Sequence, residues 1–364
     1  MAVEPLLATK AQRAFIGTVT IQAIVVLVMV GITFNKVDEH VDLHEGKYTV
    51  HVSLVTTWDK NSRFTQTLPC YLALFALAEL FELFMAFDAL RLRNIIQLIG
   101  LLIFHLALVV SAALQVHQTK SALVTLGDDC GSEESFTDCG GSGTLWAKIQ
   151  PFLIVAPCVI GLSWFLMIFF VRKLYAEFGW AIFHVVGANP KMKTMYQWYQ
   201  IMICLLKFDF FFFSGVTMQL LIVVLQRNSA EYGVTIAAIP VVLILLILCG
   251  LAVQREVKWI MSISLVMMLA ASSYLYKLVR FYEPSSQAQY QTTRATLTVF
   301  TIVAFILLIG TFAVGLRCFA DFDRGLQASK INAVPSRPKL AGEKASSNQA
   351  YQSGAPLGPR ISIE

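Results

Sequence analysis

Apolar residues in this chain are gathered into blocks of about twenty, the length at which an α-helix crosses the hydrocarbon core of a bilayer. The sequence predicts eight spans: Ala14–Thr33, Leu68–Leu90, Asn94–Val116, Pro151–Val171, Trp198–Gln226, Val234–Val253, Val257–Leu278 and Ala295–Leu316. The first block is too long for a typical signal-peptide core, and no small-residue cleavage site follows it, so we interpret it as an anchor. The predicted fold class is an all-α, polytopic transmembrane helix bundle covering residues 1–326.

Composition agrees with a membrane protein and leaves no room for a large soluble domain. The chain is 57% hydrophobic and only 14% charged, whereas a soluble domain is about 25% charged. The net charge of +5 is spread over loops and tail, so it does not indicate a nucleic-acid partner. Residues 327–364 are polar and rich in Ser, Ala, Pro and Gly, which predicts a short disordered tail with a regulatory or a merely solubilising role.

Basic residues near the ends of spans predict the topology, because Lys and Arg collect on the cytosolic side. Placing both termini in the cytosol puts the following residues on that side: Lys10, Arg13, Arg91, Arg93, Arg172, Lys173, Lys191, Lys193, Arg255, Lys258, Arg317, Arg324 and Lys330. The acid-rich loops 34–67 and 117–150 then face the lumen or exterior. Only Gln254–Glu256 separates the sixth and seventh spans, so one interrupted span is the alternative, and it would move the tail to the other side.

Two cysteines in the second lumenal loop predict a disulfide. Cys130 and Cys139 stand nine residues apart in a loop assigned to an oxidising compartment. Two free thiols or a zinc site are the alternatives, although two cysteines without further ligands make a poor zinc site. In the first loop His40 and His44 would share a helix face, but no tight metal-binding spacing accompanies them. We therefore predict no metal site and no cofactor.

Charged and polar residues inside apolar spans are the main candidates for function, since each charge costs a few kcal/mol at mid-bilayer. Glu79 and Glu82 share a face of the second span, and Gln200 and Lys207 share a face of the fifth. Asp209 points away from Lys207. These five residues form either a polar cavity for a proton, ion or small ligand, or a buried network that fixes helix packing. We expect Lys207 to contact Glu79 or Glu82, and Asp209 to face a polar group on another helix.

Motifs for catalysis are missing from the sequence. There is no paired-histidine metal motif within a span, no G-x-S-x-G elbow and no phosphate-binding G-x-x-x-x-G-K-[ST] loop. The sequence therefore favours a protein that is not an enzyme.

Several strings are distinctive enough to suggest a family. They are Arg93–Leu98, Glu177–Trp180, Gly187–Pro190, Tyr199–Gln200, Leu205–Phe212, Arg280–Tyr282, Cys318–Phe319 and Arg324–Leu326. Together they resemble an uncharacterised fungal family of multi-pass Golgi apparatus membrane proteins, over about residues 68–326. The resemblance implies a Golgi or endomembrane location and no particular activity, since that family has none assigned.

Two principal functions are consistent with these features. The leading hypothesis is a receptor-like protein or trafficking scaffold with the lipid bilayer and other membrane proteins as partners. The alternative is a proton- or ion-coupled transporter that uses the intramembrane charges, and a seven-helix receptor with an added anchor is a third. A sealed polar core would favour a scaffold, and a path open to water would favour transport or ligand sensing.

Overall fold

The computed structural model of the protein describes residues 7–41, 61–124, 140–186, 190–221, 230–278 and 294–325. Within these ranges the chain forms eight α-helices: α1 Lys10–Val41, α2 Asn61–Leu92, α3 Ile95–Leu123, α4 Leu145–Val186, α5 Pro190–Gln219, α6 Ala230–Arg255, α7 Lys258–Leu278 and α8 Arg294–Ala320. The described ranges contain no strand. The predicted all-helical fold class is confirmed.

Every predicted span lies on a helix of its own, although the helices run longer and the fifth predicted span extends past Gln219. Judged on the described residues alone, six helices are long and apolar enough to cross a membrane: α1, α3, α4, α5, α6 and α8. In α7 the described apolar stretch, Lys258–Ser272, is shorter. The remaining helix, α2, carries Glu79, Glu82 and Asp88 in its apolar stretch.

Two very short connections create helical hairpins. Between α2 and α3, Arg93 adopts a left-handed backbone conformation with φ of 50°. Asn94 then caps α3, because its side-chain oxygen accepts a hydrogen bond from Gln97 N at 3.1 Å. Glu256 has a φ of 56° between α6 and α7. These two helices pack against each other, so the sixth and seventh predicted spans are separate helices.

The helices pack as two groups that meet at α5. Helices α1, α2, α3 and α4 pack together, as do α5, α6, α7 and α8, while α5 also contacts α2 and α3. Within the second group α5 crosses α8 at Gly215, where a Cβ atom would lie 2.7 Å from Cε1 of Phe300. Any larger residue at this crossing would require the Phe300 ring to shift.

An aromatic cluster joins the two groups. Phe81 of α2 stacks on Phe211 of α5 with ring centroids 4.7 Å apart, and Phe104 of α3 meets Phe211 edge-on at 4.9 Å. Phe208 lies 5.7 Å from Phe81. Such pairs add roughly 0.5–1.5 kcal/mol each beyond the apolar area they bury, so they stabilise the junction of α5 with α2 and α3.

The outward surface of the helices is strongly apolar, as a lipid-facing surface must be. Large exposed hydrophobic side chains occur on most helices, for example Ile24, Leu162, Phe165, Trp259, Val266 and Ile306. In water such a surface would aggregate, whereas lipid tails solvate it. The protein is therefore a membrane-embedded protein in contact with the lipid bilayer.

Some predictions concern residues outside the described ranges. Cys130, Cys139 and His44 lie outside them, as do residues 327–364. The disulfide and the disordered tail therefore stay predictions.

Candidate functional site

Five polar side chains from four helices meet in the interior of the first helix group. They are Gln22 of α1, Glu79 and Glu82 of α2, His105 of α3 and Ser163 of α4, here called the four-helix polar network. Gln22 Nε2 donates hydrogen bonds to Glu79 Oε2 at 2.9 Å and to Glu82 Oε2 at 3.3 Å. Ser163 Oγ lies 2.8 Å from Gln22 Oε1, to which it can donate. The network thus ties four helices together with polar contacts.

His105 connects the carboxylates to the backbone of α4. Its Nδ1 contacts Glu82 Oε1, and its Nε2 lies 2.9 Å from the Ile160 carbonyl oxygen. Ser163 Oγ is 3.1 Å from the same Nε2. Because both ring nitrogens face acceptor oxygens, the arrangement suits an imidazolium, which donates from both nitrogens.

The network is sealed within the protein. Glu79, Glu82 and His105 are each 0% exposed. One carboxylate oxygen, Glu79 Oε1, has no hydrogen-bond partner among the described residues. An imidazolium at His105 balances the charge of Glu82, which it contacts. Glu79 has no cation beside it in the network and one oxygen without a hydrogen bond, so it is the least well compensated group of the network.

Lys207 belongs to a different cluster, which corrects the expectation that it contacts Glu79 or Glu82. Its Nζ contacts Asp88 Oδ2 and donates to Gln97 Oε1 at 2.8 Å. Gln97 Nε2 in turn donates to Asp88 Oδ2 at 3.0 Å. The Lys207 and Asp88 side chains are each 18% exposed. The pairing differs because Asp88 lies six residues, or about 9 Å, beyond Glu82 along α2, and α5 passes at that level.

Gln200 lies beside this Lys207 cluster. It is buried at 4% exposure, and its carbonyl oxygen is 3.5 Å from Asn94 Nδ2. Its side chain interacts with the hydroxyl of Tyr196, one turn earlier on α5. Gln200 therefore helps to hold α5 against the α2–α3 turn and has no contact with the four-helix polar network.

Asp209 faces the second helix group, where a hydroxyl of α8 meets it. Thr311 Oγ1 donates to Asp209 Oδ2 at 2.6 Å, while Asp209 Oδ1 has no hydrogen-bond partner among the described residues. The five residues singled out from the sequence are thus divided among three separate places.

Sequence reasoning missed Gln22, Ser163 and Thr311. Gln22 is the one amide inside the first predicted span, and an amide at mid-bilayer is a signal that could have identified it. Ser163 and Thr311 gave no signal, since hydroxyl residues are common in membrane helices and bond to their own backbone. Ser163 and Thr311 indeed also lie 2.8 Å and 2.9 Å from carbonyls of their own helices.

Apart from the polar groups, helices α2, α3, α5 and α8 line an apolar cavity of about 720 Å³. Its lining includes Phe104, Phe208 and Phe300. Ile103 and Val299 on its rim are 66% and 58% exposed. The cavity is therefore a groove that opens to the outer surface of the bundle, and it is called the apolar groove below.

Comparison with known proteins supports the resemblance given by the sequence. The chain is 29% identical over 274 residues to a UPF0658 Golgi apparatus membrane protein of Schizosaccharomyces pombe, and the match covers 72% of this chain and 78% of that protein. No family model matches. No solved structure matches either. The likeness to an uncharacterised family of Golgi membrane proteins is therefore confirmed, and it assigns no activity.

Proposed function

We propose that this chain is a non-enzymatic, multi-pass membrane protein of the Golgi apparatus, acting as a receptor-like protein or trafficking scaffold. The observation that carries the proposal is the sealed four-helix polar network. Its two glutamates and its histidine are fully buried, and its hydrogen bonds connect one helix to the next. A network of this kind fixes one helix arrangement, which a binding platform requires.

The hydrogen bonds of the network run between different helices and share one central residue, which supports a structural role for the network. Gln22 is the shared partner of both carboxylates and of Ser163. Helix packing in a membrane lacks a hydrophobic driving force and depends on van der Waals packing and on such interhelical hydrogen bonds. The network therefore fixes the register of α1, α2, α3 and α4, and leaves their outer surfaces available to partners.

Proximity labelling in cells tests the scaffold. A biotin ligase fused to the C-terminus of the full chain should label a reproducible set of membrane proteins above the background of an unrelated multi-pass Golgi protein. Glu79→Gln, compared at equal amounts of folded protein, should label the same set, because the network acts on folding. A labelled set that equals the background contradicts the scaffold.

The second candidate is a proton- or ion-coupled transporter, and one specific observation favours it. Glu79 Oε1 has no hydrogen-bond partner in the described part of the chain, and it lies near the contact between Glu82 and His105. Buried ionisable groups of this kind are found in proton relays. Proteoliposomes containing a pH-sensitive dye should then show solute-driven proton flux with the wild type and none with Glu79→Gln. Flux that is equal in the two proteins, or absent from both, argues for the scaffold.

We place both termini in the cytosol, and the support is the distribution of Lys and Arg in the short loops. Protease added to sealed Golgi vesicles should remove a tag fused to the C-terminus. A protected tag would show that the tail lies in the lumen.

A further inference from the structure

The apolar groove follows α3 for nearly the depth of a bilayer. On α3 its lining begins at Ile96 and ends at Gln115, which is about 28 Å at a rise of 1.5 Å per residue. The hydrocarbon core of a bilayer is about 30 Å thick. On the opposite wall the lining runs from Ile201 to Phe212 on α5 and from Val299 to Leu307 on α8.

The volume of the groove selects between a lipid and a protein helix as its occupant. The cavity volume of about 720 Å³ is distributed along about 28 Å of α3, so the groove is long compared with its width. A helix with its side chains is about 10–12 Å across and would occupy more than about 2,000 Å³ over that length, so the groove does not hold a whole helix. One hydrocarbon chain has the shape of a long, narrow cylinder and fits.

A single buried amide marks one end of the groove. Gln115 lines it and is only 6% exposed. No hydrogen bond joins the Gln115 side chain to another residue in the described part of the chain. Its amide is not among the fully enclosed polar atoms that lack a partner, so the amide is accessible from the groove. Gln115 lies two residues before the end of the apolar stretch of α3, Ile95–His117, and at the end of such a stretch the ester carbonyls of glycerolipids can accept hydrogen bonds.

We propose that the apolar groove is a binding site for one acyl chain of a membrane glycerophospholipid, with the amide of Gln115 donating to its ester carbonyl. The chain extends from Gln115 past Phe104 and Phe208 towards the turn between α2 and α3. This site goes beyond the scaffold function and does not depend on it.

Photocrosslinking in lipid nanodiscs tests the site on the full-length protein. The probe is phosphatidylcholine with a diazirine in one acyl chain, and mass spectrometry of peptides locates the crosslinks. Labelling should concentrate on groove residues. Ala107→Trp fills the groove from α3 and should reduce that labelling by about an order of magnitude. Ala113→Trp is the matched control, since Ala113 is exposed on the same helix and does not line the groove.

A second variant separates binding from folding. Ser111 also lines the groove, so Ser111→Trp replaces Ala107→Trp if the latter fails to give monodisperse protein. Gln115→Leu should weaken labelling about fivefold, the factor that corresponds to one net hydrogen bond of about 1 kcal/mol.

Three outcomes would overturn the proposal. Equal labelling of Ala107→Trp and Ala113→Trp would show an ordinary boundary lipid. Preferential labelling by a diazirine sterol that phosphatidylcholine does not displace would make the occupant a sterol. Crosslinks from groove residues to a second protein or a second copy would make the groove a protein interface.

Discussion

Replacing Gln22 with leucine removes the central side chain of the four-helix polar network while nearly conserving its volume. The change deletes the hydrogen bonds of 2.9 Å and 3.3 Å to Glu79 and Glu82 and the 2.8 Å contact with Ser163. Glu79 then has no remaining partner among the described residues, because its other oxygen is already unpaired. The network loses its link to α1.

The expected loss of stability follows from this count of contacts. Hydrogen bonds between membrane helices contribute about 0.6 kcal/mol each on average, so three of them amount to roughly 2 kcal/mol. Leaving the Glu79 carboxyl without a hydrogen-bond partner in the interior adds about 1–3 kcal/mol. We therefore expect Gln22→Leu to lower the free energy of unfolding by about 3–5 kcal/mol.

Equilibrium unfolding measures this loss. Sodium dodecyl sulfate is titrated into protein in a mild detergent, and circular dichroism follows the helix content. Thr20→Val on the same helix is the control, since the Thr20 hydroxyl donates to the Ile16 carbonyl of its own helix. The control should change the free energy of unfolding by less than about 0.5 kcal/mol.

The double variant Gln22→Leu/Glu79→Leu can refute the reasoning. Replacing both members of a buried polar pair with apolar groups is close to neutral, whereas removing one is not. The double variant should therefore lose at least about 1 kcal/mol less than the sum of the two single losses. Losses that add within about 0.5 kcal/mol would show that the two side chains do not act together.

Three further predictions concern other parts of the chain. Lys207→Met and Asp88→Asn should each lower the free energy of unfolding by about 1–3 kcal/mol. The double variant should lose less than the sum of the two single losses. Losses that simply add in the same detergent titration would show that the two groups do not pair. Gly215→Ala forces a methyl group against a phenylalanine ring of α8 and should lower the free energy of unfolding by about 1–3 kcal/mol. In the control Gly310→Ala the new methyl group meets open space, so its stability should be near that of the wild type. Equal losses of the two variants in thermal unfolding would contradict this. Non-reducing peptide mass spectrometry should recover Cys130–Cys139 as one linked peptide, because the loop is assigned to an oxidising compartment, and free thiols at both positions would reject that assignment.

Much of the fold could be predicted from the sequence because lipid imposes a simple rule on it. A bilayer requires about twenty apolar residues per helix, so the blocks of apolar residues located all eight helices. The helix ends were less predictable, because α1 and α4 continue for many residues beyond the apolar blocks. Polar residues continue a helix equally well once it leaves the lipid.

The pairing of buried charges could not be predicted. Glu82 and Asp88 are both available carboxylates on α2, and the pattern of one helix does not reveal the level at which another crosses it. Lys207 meets Asp88 because α5 crosses α2 near the α2–α3 turn. The histidine in the third span was visible as a polar residue, but its contact with Glu82 depends on the packing of α3 against α2.

The contact between Gln200 and Asn94 has a practical consequence for imaging. It marks the level of the α2–α3 turn on α5, and α5 begins ten residues earlier, at Pro190. At 1.5 Å per residue, the first ten residues of α5 therefore account for about 15 Å of helix before that level, and three residues separate the end of α4 at Val186 from the start of α5. Small membrane proteins are difficult to align in electron micrographs when a detergent micelle hides them. An antibody fragment raised against the N-terminal turns of α5 would supply a landmark on the side of the bundle where the α2–α3 turn lies.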